Sequence, residues 1–191
     1  MQHSEIQRYG IRFEYPEIAN AKSFNAAVHQ IVDPLVRTFG SEPSQPGNAI
    51  EQAYLTGHYT ASILKNGVVS VLLEWTQYFP MAAHPSGLMA SVNYDSRSRR
   101  VLILSDIFRP GVNYLARLSE MAIASLSQQE FAVVEAVREG AGPVESNFRV
   151  FTLTDDTLVL HFQTYQVAAG AAGPQEVVIP LNSLTSLLRR R

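Results

Sequence analysis

The fold is decided by residues 53–79, which read AYLTGHYTASILKNGVVSVLLEWTQYF. Apolar and polar residues alternate on both sides of Asn66 and Gly67, a dipeptide that favours a two-residue hairpin turn. The alternation continues at residues 88–94 and 101–104 after polar connections. We therefore predict an antiparallel meander over residues 53–104, with Asn66 and Gly67 forming its first turn.

An N-terminal strand and helix are predicted before this meander. Residues 11–15 (IRFEY) alternate as a short strand that ends at Pro16. Between positions 24 and 39, apolar residues recur at helical spacing. Pro34 lies inside that pattern and removes one intrahelical hydrogen bond, so we expect a kink or a break there. Residues 41–48 (SEPSQPGN) have the composition of a loop.

Two further helices are predicted within residues 115–139. Ser127 and Glu130 have the spacing of a capping box, which predicts that the second helix begins near Ser127. The residues expected to be buried by these helices are Leu118, Leu126, Phe131 and Val134.

The C-terminal part returns to strands. A hairpin is predicted across Asp155 and Asp156, with strands within residues 147–154 and 157–167, and a last strand at 176–179. Because strands and helices each occur in runs, the fold class is α+β, with antiparallel β-sheet meanders packed with a few helices.

Length and composition limit the function. The 191 residues fit one compact unit or two small lobes, an N-terminal strand-helix region at 1–49 and a C-terminal region at 50–191. A net charge of −2 argues against nucleic acid as a partner, and no apolar run reaches the roughly 20 residues of a membrane helix. The absence of cysteine excludes disulfides, thiolate catalysis and Cys-based zinc sites. We therefore expect a soluble domain without a membrane span.

Signatures of standard enzymes are absent from the sequence. There is no G-x-S-x-G elbow, no H-E-x-x-H, no P-loop and no G-x-G-x-x-G. The five histidines are scattered singly, although distant histidines can meet in a fold and bind zinc. We expect no cofactor, and we expect that His58, His84 and His161 do not converge on one metal.

His84 is the histidine with the clearest potential for chemistry. It lies in a proline-framed loop after an aromatic strand, where an imidazole can bind a ligand or act as a base. The structural alternative, which we favour, is that one ring nitrogen donates to a backbone carbonyl and stabilises the turn. Asp95 is expected to form an Asx turn at a strand end, and Asp106 to begin the turn toward the next helix.

A series of short motifs resembles a known family. These motifs are AHP (83–85), NYD (93–95), LILSDIF (102–108), NF (147–148), LVLHFQTYQV (158–167) and AGPQEV (172–177). They resemble a family of bacterial envelope domains that includes the lysozyme-binding extracytoplasmic part of the anti-sigma factor RsiV and the non-catalytic region of PdaC-type peptidoglycan deacetylases. Tyr15 and Pro16, followed by Phe24 and Asn25, are similar to the smaller domain that precedes this one in such proteins.

The resemblance implies a non-catalytic envelope binding module, periplasmic or at the cell surface, whose partner is a lysozyme-like protein or a cell-wall glycan such as peptidoglycan. Residues 1–10 (MQHSEIQRYG) show no signal peptide, which leaves a cytoplasmic protein or a processed exported one. Exposed aromatic side chains would suit either sugar stacking or a protein groove. The binding candidates are His84, Trp75, Tyr78, Phe79, Asp95 and Tyr165.

Two other interpretations stay open. The chain is alternatively a hydrolase that uses His84 with Asp95 or Asp106, with or without a metal, or a structural domain whose partner the sequence does not specify. The sequence also departs from the family pattern, because Met81 and Ala82 stand where a glycine pair usually precedes AHP. We expect these two residues to bend the loop differently or to bear backbone strain.

Overall fold

The structure, a computed structural model, describes residues 1–8, 10–40, 53–130 and 132–189. The predicted loop at 41–48, the boundary between positions 49 and 50, and the predicted burial of Phe131 lie outside these residues. The strands are β1 (Gln2–Arg8), β2 (Ile11–Glu17), β3 (Tyr54–Ile63), β4 (Val68–Tyr78), β5 (Ser86–Asp95), β6 (Arg100–Leu102), β7 (Phe151–Leu153), β8 (Thr157–Phe162) and β9 (Gln175–Pro180). The helices are α1 (Lys22–Gly40), α2 (Tyr114–Leu126) and α3 (Val134–Gly140). Strands β1 to β6 form a larger sheet in that order, and β7, β8 and β9 form a smaller one.

The predicted antiparallel meander and the α+β class are confirmed, since β3 to β6 pair antiparallel in chain order. The first turn differs from the prediction. The Gly67 N–H donates to the Leu64 carbonyl at 2.9 Å, and the Leu64 N–H donates to the Val68 carbonyl at 2.8 Å. The connection therefore has three residues: Lys65, Asn66 and then Gly67, which has a φ of 85°. The two-residue turn was wrong because the glycine occupies the left-handed bulge position after the turn.

The N-terminal strands extend the larger sheet. β1, which was not predicted, pairs antiparallel with β2, and β2 continues through Pro16. β3 pairs with β2 only at positions 11–13 of β2. At Pro16 the side of β2 that faces away from β1 therefore has no partner strand among the described residues, and proline is tolerated at such an edge. The β2–β3 pair is parallel, with Ile11 opposite Leu55. Parallel neighbours need a crossover connection, and α1 lies in that connection.

Helix α1 covers one face of the larger sheet. It passes through Pro34 without a break, so of the predicted kink or break the break was wrong. Burial of its apolar face compensates for the hydrogen bond lost at the proline, because most helical stability in proteins comes from tertiary packing. The buried residues of this helix are Phe24, Val28, Val32, Val36 and Phe39.

The predicted pair of helices and the break near Ser127 are confirmed, but the second helix does not begin at the capping box. Ser127 is the C-cap of α2, and α3 begins only at Val134. Val134 is 48% exposed, and Val137 takes the buried position instead. Leu118 and Leu126 are buried as predicted. No helix in the described ranges is long and apolar enough to cross a membrane.

The smaller sheet has two different faces. One face is apolar and packs into a core with α2 and α3. Strand alternation directs the residues between these core positions to the other face, toward the larger sheet. The core residues of the smaller sheet are Phe151, Leu153, Leu158, Leu160, Phe162, Val177 and Ile179.

Candidate functional site

A buried polar network joins the two sheets. The Ser70 hydroxyl donates to Asn93 Oδ1 at 2.6 Å, and it accepts the Leu153 N–H at 2.8 Å. Asn93 Nδ2 donates to the Phe151 carbonyl at 2.9 Å, and the Phe151 N–H donates to Ser91 Oγ at 3.0 Å. Side chains of β4 and β5 thus satisfy backbone groups of β7 that a neighbouring strand would otherwise bind. This network fixes how the smaller sheet sits on the larger one.

Next to this network, the two sheets enclose a cleft of about 400 Å³. This volume is within the range of small-ligand sites. Leu72 and Met89 of the larger sheet and Val159 of the smaller sheet supply apolar surface. The polar residues that line the cleft are Thr60, Glu74, Thr152, His161, Gln175 and Glu176. The cleft therefore combines hydroxyl, carboxylate, amide and imidazole groups with apolar patches.

His161 is the most buried polar residue of the cleft, with 8% exposure. Its Nε2 lies 2.8 Å from the Thr152 hydroxyl, and its Nδ1 lies 3.9 Å from Glu176 Oε2. Burial lowers the pKa of His161, and the nearby Glu176 carboxylate offsets only part of that effect. The ring is therefore uncharged at neutral pH.

Glu74 reaches the cleft from the larger sheet. Its Oε2 lies 3.5 Å from His58 Nε2 on the neighbouring strand. Glu176 enters from β9, opposite His161 on β8. The cleft thus has a carboxylate on each of its two walls.

A row of polar and aromatic residues continues from Glu74 along the same face of the larger sheet. Thr76 follows, then Tyr78, whose ring stacks on Tyr54 with centroids 5.7 Å apart. Tyr78 lies four positions after Glu74 along β4, which corresponds to about 13 Å. A Cβ built on Gly87, opposite Thr76, would meet no atom within 4 Å. This part of the sheet face is therefore open beside the cleft.

His84 and Tyr165 form a separate surface patch. His84 Nδ1 lies 3.0 Å from the Pro85 carbonyl oxygen, and its Nε2 lies 3.3 Å from the Tyr165 hydroxyl. Tyr165 is 64% exposed, and its ring packs so closely on Gly170 that a Cβ there would lie 2.2 Å from a ring carbon. The carbonyl contact is the one expected of a structural histidine. In the described part of the chain, no hydrogen bond joins His84 to a carboxylate.

Met81 carries the backbone strain that the departure from the family pattern predicted. The Ala82 N–H donates to the Phe79 carbonyl at 3.1 Å, which closes a turn with Pro80 and Met81 at its centre. Met81 has a φ of 69°, at the position where a type II turn favours glycine. Its side chain is 99% exposed and lies on the same loop as His84.

The remaining aromatic candidates do not join Tyr78. Trp75 and Phe79 lie on the opposite face of the larger sheet and pack into the core beneath α1. The Phe79 ring stacks on Phe39 with centroids 4.6 Å apart. The predicted aromatic strand is therefore divided between a core face and an open face, because successive side chains alternate.

The two aspartates stabilise turns. Asp95 Oδ1 accepts the Arg97 N–H at 2.9 Å, as in an Asx turn. Asp106 Oδ2 accepts the Ile103 N–H at 3.0 Å, and its Oδ1 pairs with Arg100 at 2.9 Å. Burial acts to raise the pKa of Asp106, but these hydrogen bonds bring the pKa below its usual value.

Metal binding has no preformed site among residues 1–8, 10–40, 53–130 and 132–189, where no three His, Asp or Glu side chains are grouped to hold an ion. His58 faces Glu74, His84 faces Tyr165, and His161 faces Thr152. Sequence reasoning missed Glu74 and Glu176. The alternation of apolar and polar residues in β4 and β9 shows that both side chains point away from the core. It does not show which two sheet faces meet, and therefore does not predict that the two residues line one cleft.

Comparisons with known proteins find similarity to a bacterial peptidoglycan deacetylase and to a mycobacterial immunogenic protein. The chain is 28% identical over 186 residues to the peptidoglycan-N-acetylmuramic acid deacetylase PdaC of Bacillus subtilis, a match that covers 93% of this chain and 38% of that protein. It is 24% identical over 131 residues to the immunogenic protein MPT64 of Mycobacterium tuberculosis, covering 68% of this chain and 56% of that protein. The chain thus spans less than two thirds of the length of the curated relatives that it matches.

Two solved structures share the fold. A DUF3298 family member from Bacteroides fragilis has a TM-score of 0.63 at 17% identity, covering 99% of this chain and 93% of that chain. A DUF3298 protein from Pseudomonas aeruginosa has a TM-score of 0.66 at 16% identity, covering 98% and 92%. Residues 105–182 match the family DUF3298, a protein family of unknown function, and they lie in a chain that is similar over nearly its whole length to a region of a peptidoglycan deacetylase.

Proposed function

We propose that this chain is a non-catalytic glycan-binding module of the bacterial cell envelope, and that the cleft between the two sheets holds the glycan. The similarity to a peptidoglycan-N-acetylmuramic acid deacetylase supports the class of ligand. That protein's catalytic activity is not carried over to this chain.

The observation that carries the proposal is the composition of the cleft and of the open sheet face beside it. Sugar rings present hydroxyl groups at their edges and apolar C–H groups on their faces. The cleft offers hydroxyl, amide and carboxylate partners for the edges. The stacked pair Tyr54 and Tyr78, about 13 Å from Glu74, offers amphipathic aromatic surface for a further ring. This span suits several linked sugars rather than a single one.

A lysozyme-like protein is a second candidate partner, and a different surface supports it. Met81 is almost fully exposed on a turn whose Pro80 restricts the backbone, and Tyr165 projects beside His84. Exposed apolar and aromatic side chains held in place are typical anchors of protein interfaces.

The hydrolase alternative gains no support at His84. A general base needs a partner that orients it toward a substrate proton. The two ring nitrogens of His84 contact a backbone carbonyl and the Tyr165 hydroxyl. Asp95 and Asp106 accept backbone N–H groups of their own turns.

The proposal is tested by calorimetric titration with soluble glycan strands released from peptidoglycan. We expect wild-type protein to bind, and Tyr78→Ala to bind up to about ten-fold more weakly, if stacking on a sugar ring contributes as much as the roughly 0.5–1.5 kcal/mol of an aromatic pair. Tyr165→Ala is the matched control and is expected to bind glycan like the wild type. Thermal unfolding of each variant reports whether it is folded.

Two results contradict the proposal. If Tyr165→Ala weakens glycan binding while Tyr78→Ala leaves it unchanged, the glycan does not bind at the cleft. If the wild type binds lysozyme but no glycan, and Tyr165→Ala abolishes lysozyme binding, the partner is the second candidate, a lysozyme-like protein.

A further inference from the structure

One histidine outside the cleft lies between two carboxylates. Helix α1, which covers the face of the larger sheet opposite the cleft, carries His29. The Nδ1 atom of this imidazole lies 3.1 Å from Asp33 Oδ1 on the same helix, and its Nε2 atom lies 3.4 Å from Glu17 Oε1 on β2. The Ser4 hydroxyl of β1 donates to Glu17 Oε2 at 2.6 Å. These four residues, which we call the His29 clasp, therefore join β1, β2 and α1.

The charge of the imidazole decides whether both of its contacts are attractive. A carboxylate only accepts hydrogen bonds, and a neutral imidazole has one N–H, so a neutral His29 would turn a lone pair toward Glu17 or toward Asp33. A protonated ring has an N–H on each nitrogen and donates to both carboxylates. The hydrogen bond to Asp33 raises the pKa of His29, partial burial opposes this rise, and the hydrogen bond to Glu17 adds to it. The geometry of the clasp therefore suits the charged ring.

Tyr15 and Glu17, which face His29 from β2, keep their charge state near neutral pH. The Tyr15 ring meets the imidazole edge-on, with centroids 5.5 Å apart. Burial raises the pKa of Tyr15 and the carboxylates of Glu17 and Asp33 raise it further, so the phenol stays neutral. The hydrogen bonds from Ser4 and then from His29 lower the pKa of Glu17, so this carboxylate stays charged. From β1 the contact is the uncharged Ser4 hydroxyl. The charge of the clasp near neutral pH therefore changes at His29.

Strand β1 is the part of the fold that the clasp can release. It lies at the edge of the larger sheet, pairs with β2 alone among the described strands, and reaches the clasp through Ser4. Helix α1 is anchored independently of the clasp, because Phe24, Val28 and Val32 are fully buried beneath it. Elements with few buried contacts open locally while the core stays folded. Loss of the charged imidazole therefore favours opening of β1 over unfolding of α1.

We propose that the His29 clasp is a pH-sensitive switch, which holds the β1–β2 pair against α1 while the imidazole is protonated and loosens it when the proton is lost. Below the unfolded-state pKa of histidine, about 6.5, the clasp stabilises the fold fully. This contribution is lost as the pH rises through the higher folded-state pKa of His29. The switch is independent of the proposed glycan site, which lies on the other face of the sheet.

Histidine NMR titration and hydrogen exchange of the full chain test the switch. We expect His29 to titrate above pH of about 6.5. Protection factors, which correct for the intrinsic pH dependence of exchange, should fall about two- to five-fold at the β1 amides as His29 loses its proton, as expected for partly exposed ion pairs. The side chains of His29 and Asp33 are 37% and 46% exposed. The amides of Val28 and Val32 in α1 should keep their protection.

Variants separate the clasp from the other histidines. His29→Gln still forms hydrogen bonds but carries no charge, and it should make β1 protection independent of pH over this range. Asp33→Asn should lower the pKa of His29 and move the loss of β1 protection to lower pH, which keeps the test valid if His29→Gln fails to fold. His58→Gln, on β3 beside Glu74, and His3→Gln, on β1 itself, are the matched controls and should keep the wild-type pH dependence.

Three results would overturn the switch. The first is a His29 that titrates at or below pH of about 6.5, or β1 protection that stays constant while His29 titrates. The second is a pH dependence retained in His29→Gln and lost in His3→Gln, which would assign it to the stacking of His3 on Tyr59. The third is an equal loss of protection in α1 and β1, which would show unfolding of the whole chain in place of local release.

Discussion

Ser70→Ala tests whether the buried polar network holds the two sheets together. The substitution removes the acceptor of the Leu153 N–H and the donor to Asn93 Oδ1. Both partners are in an interior from which water is excluded, since Asn93 is 2% and Leu153 4% exposed. A buried polar group left without a partner costs roughly 1–3 kcal/mol, so two such groups lower the free energy of unfolding by about 2–6 kcal/mol.

Urea unfolding followed by the fluorescence of Trp75, the single tryptophan, measures this change. Ser86→Ala, at an exposed position of β5, is the matched control and should change the free energy of unfolding by less than about 0.5 kcal/mol. In a double-mutant cycle, Ser70→Ala and Asn93→Ala should be less than additive because they share one hydrogen bond. Equal effects of Ser70→Ala and Ser86→Ala would refute the role of the network.

Three further predictions follow from the backbone and from titration. Met81→Gly should raise the free energy of unfolding by up to about 1 kcal/mol, because glycine accepts the positive φ; no gain over Met81→Ala in thermal unfolding would contradict this. Gly140→Ala should lower the free energy of unfolding by roughly 2 kcal/mol or more, since the new Cβ would lie 1.9 Å from the Gln166 carbonyl oxygen; a neutral effect in urea unfolding would show that α3 shifts freely. The pKa of His161 is lowered in the folded protein relative to its unfolded value of about 6.5. Between these two pKa values the unfolded chain binds the proton first, so lowering the pH through this range should lower the free energy of unfolding. His161→Gln should flatten this part of the stability–pH curve, and an unchanged slope would contradict the assignment.

Local signals in the sequence predict most of the secondary structure. The alternation in β3 and β4 and the Asp155–Asp156 turn depend on neighbouring residues, and the structure has both. The prediction was wrong where distant packing outweighs local preference. Pro34 stays inside α1 because the helix buries an apolar face, and Ser127 ends α2 instead of beginning α3.

The motifs that resemble envelope domains contribute to the scaffold as well as to the cleft, which His161 and Glu176 line. The Gln163 side chain binds both the N–H and the carbonyl of Met89, at 3.1 and 2.6 Å. Gln166 Nε2 donates to the carbonyls of Gly140 and Asn147. These two glutamines fix the segment that presents Tyr165. A motif can therefore contain residues that hold a loop in place beside residues that line the candidate site.

The cleft could not be predicted because its residues come from strands distant in sequence. Glu74 lies on β4 and Glu176 on β9, and their meeting depends on the contact between two sheets. That contact is set by buried groups such as Ser70 and Asn93, which hydrogen-bond the backbone of Leu153 and Phe151 in the other sheet. The sequence does not show which distant backbone groups these side chains bind.

The measurement that tests the central claim most directly is an NMR titration of the folded chain with soluble peptidoglycan strands, read residue by residue. We predict that the largest chemical-shift changes occur at the cleft, at the amides of Thr60, Glu74, Thr152 and Glu176, and extend along β4 to Tyr78. Changes confined to the loops that carry His84 and Tyr165, or no change at saturating glycan, would contradict a glycan site between the sheets.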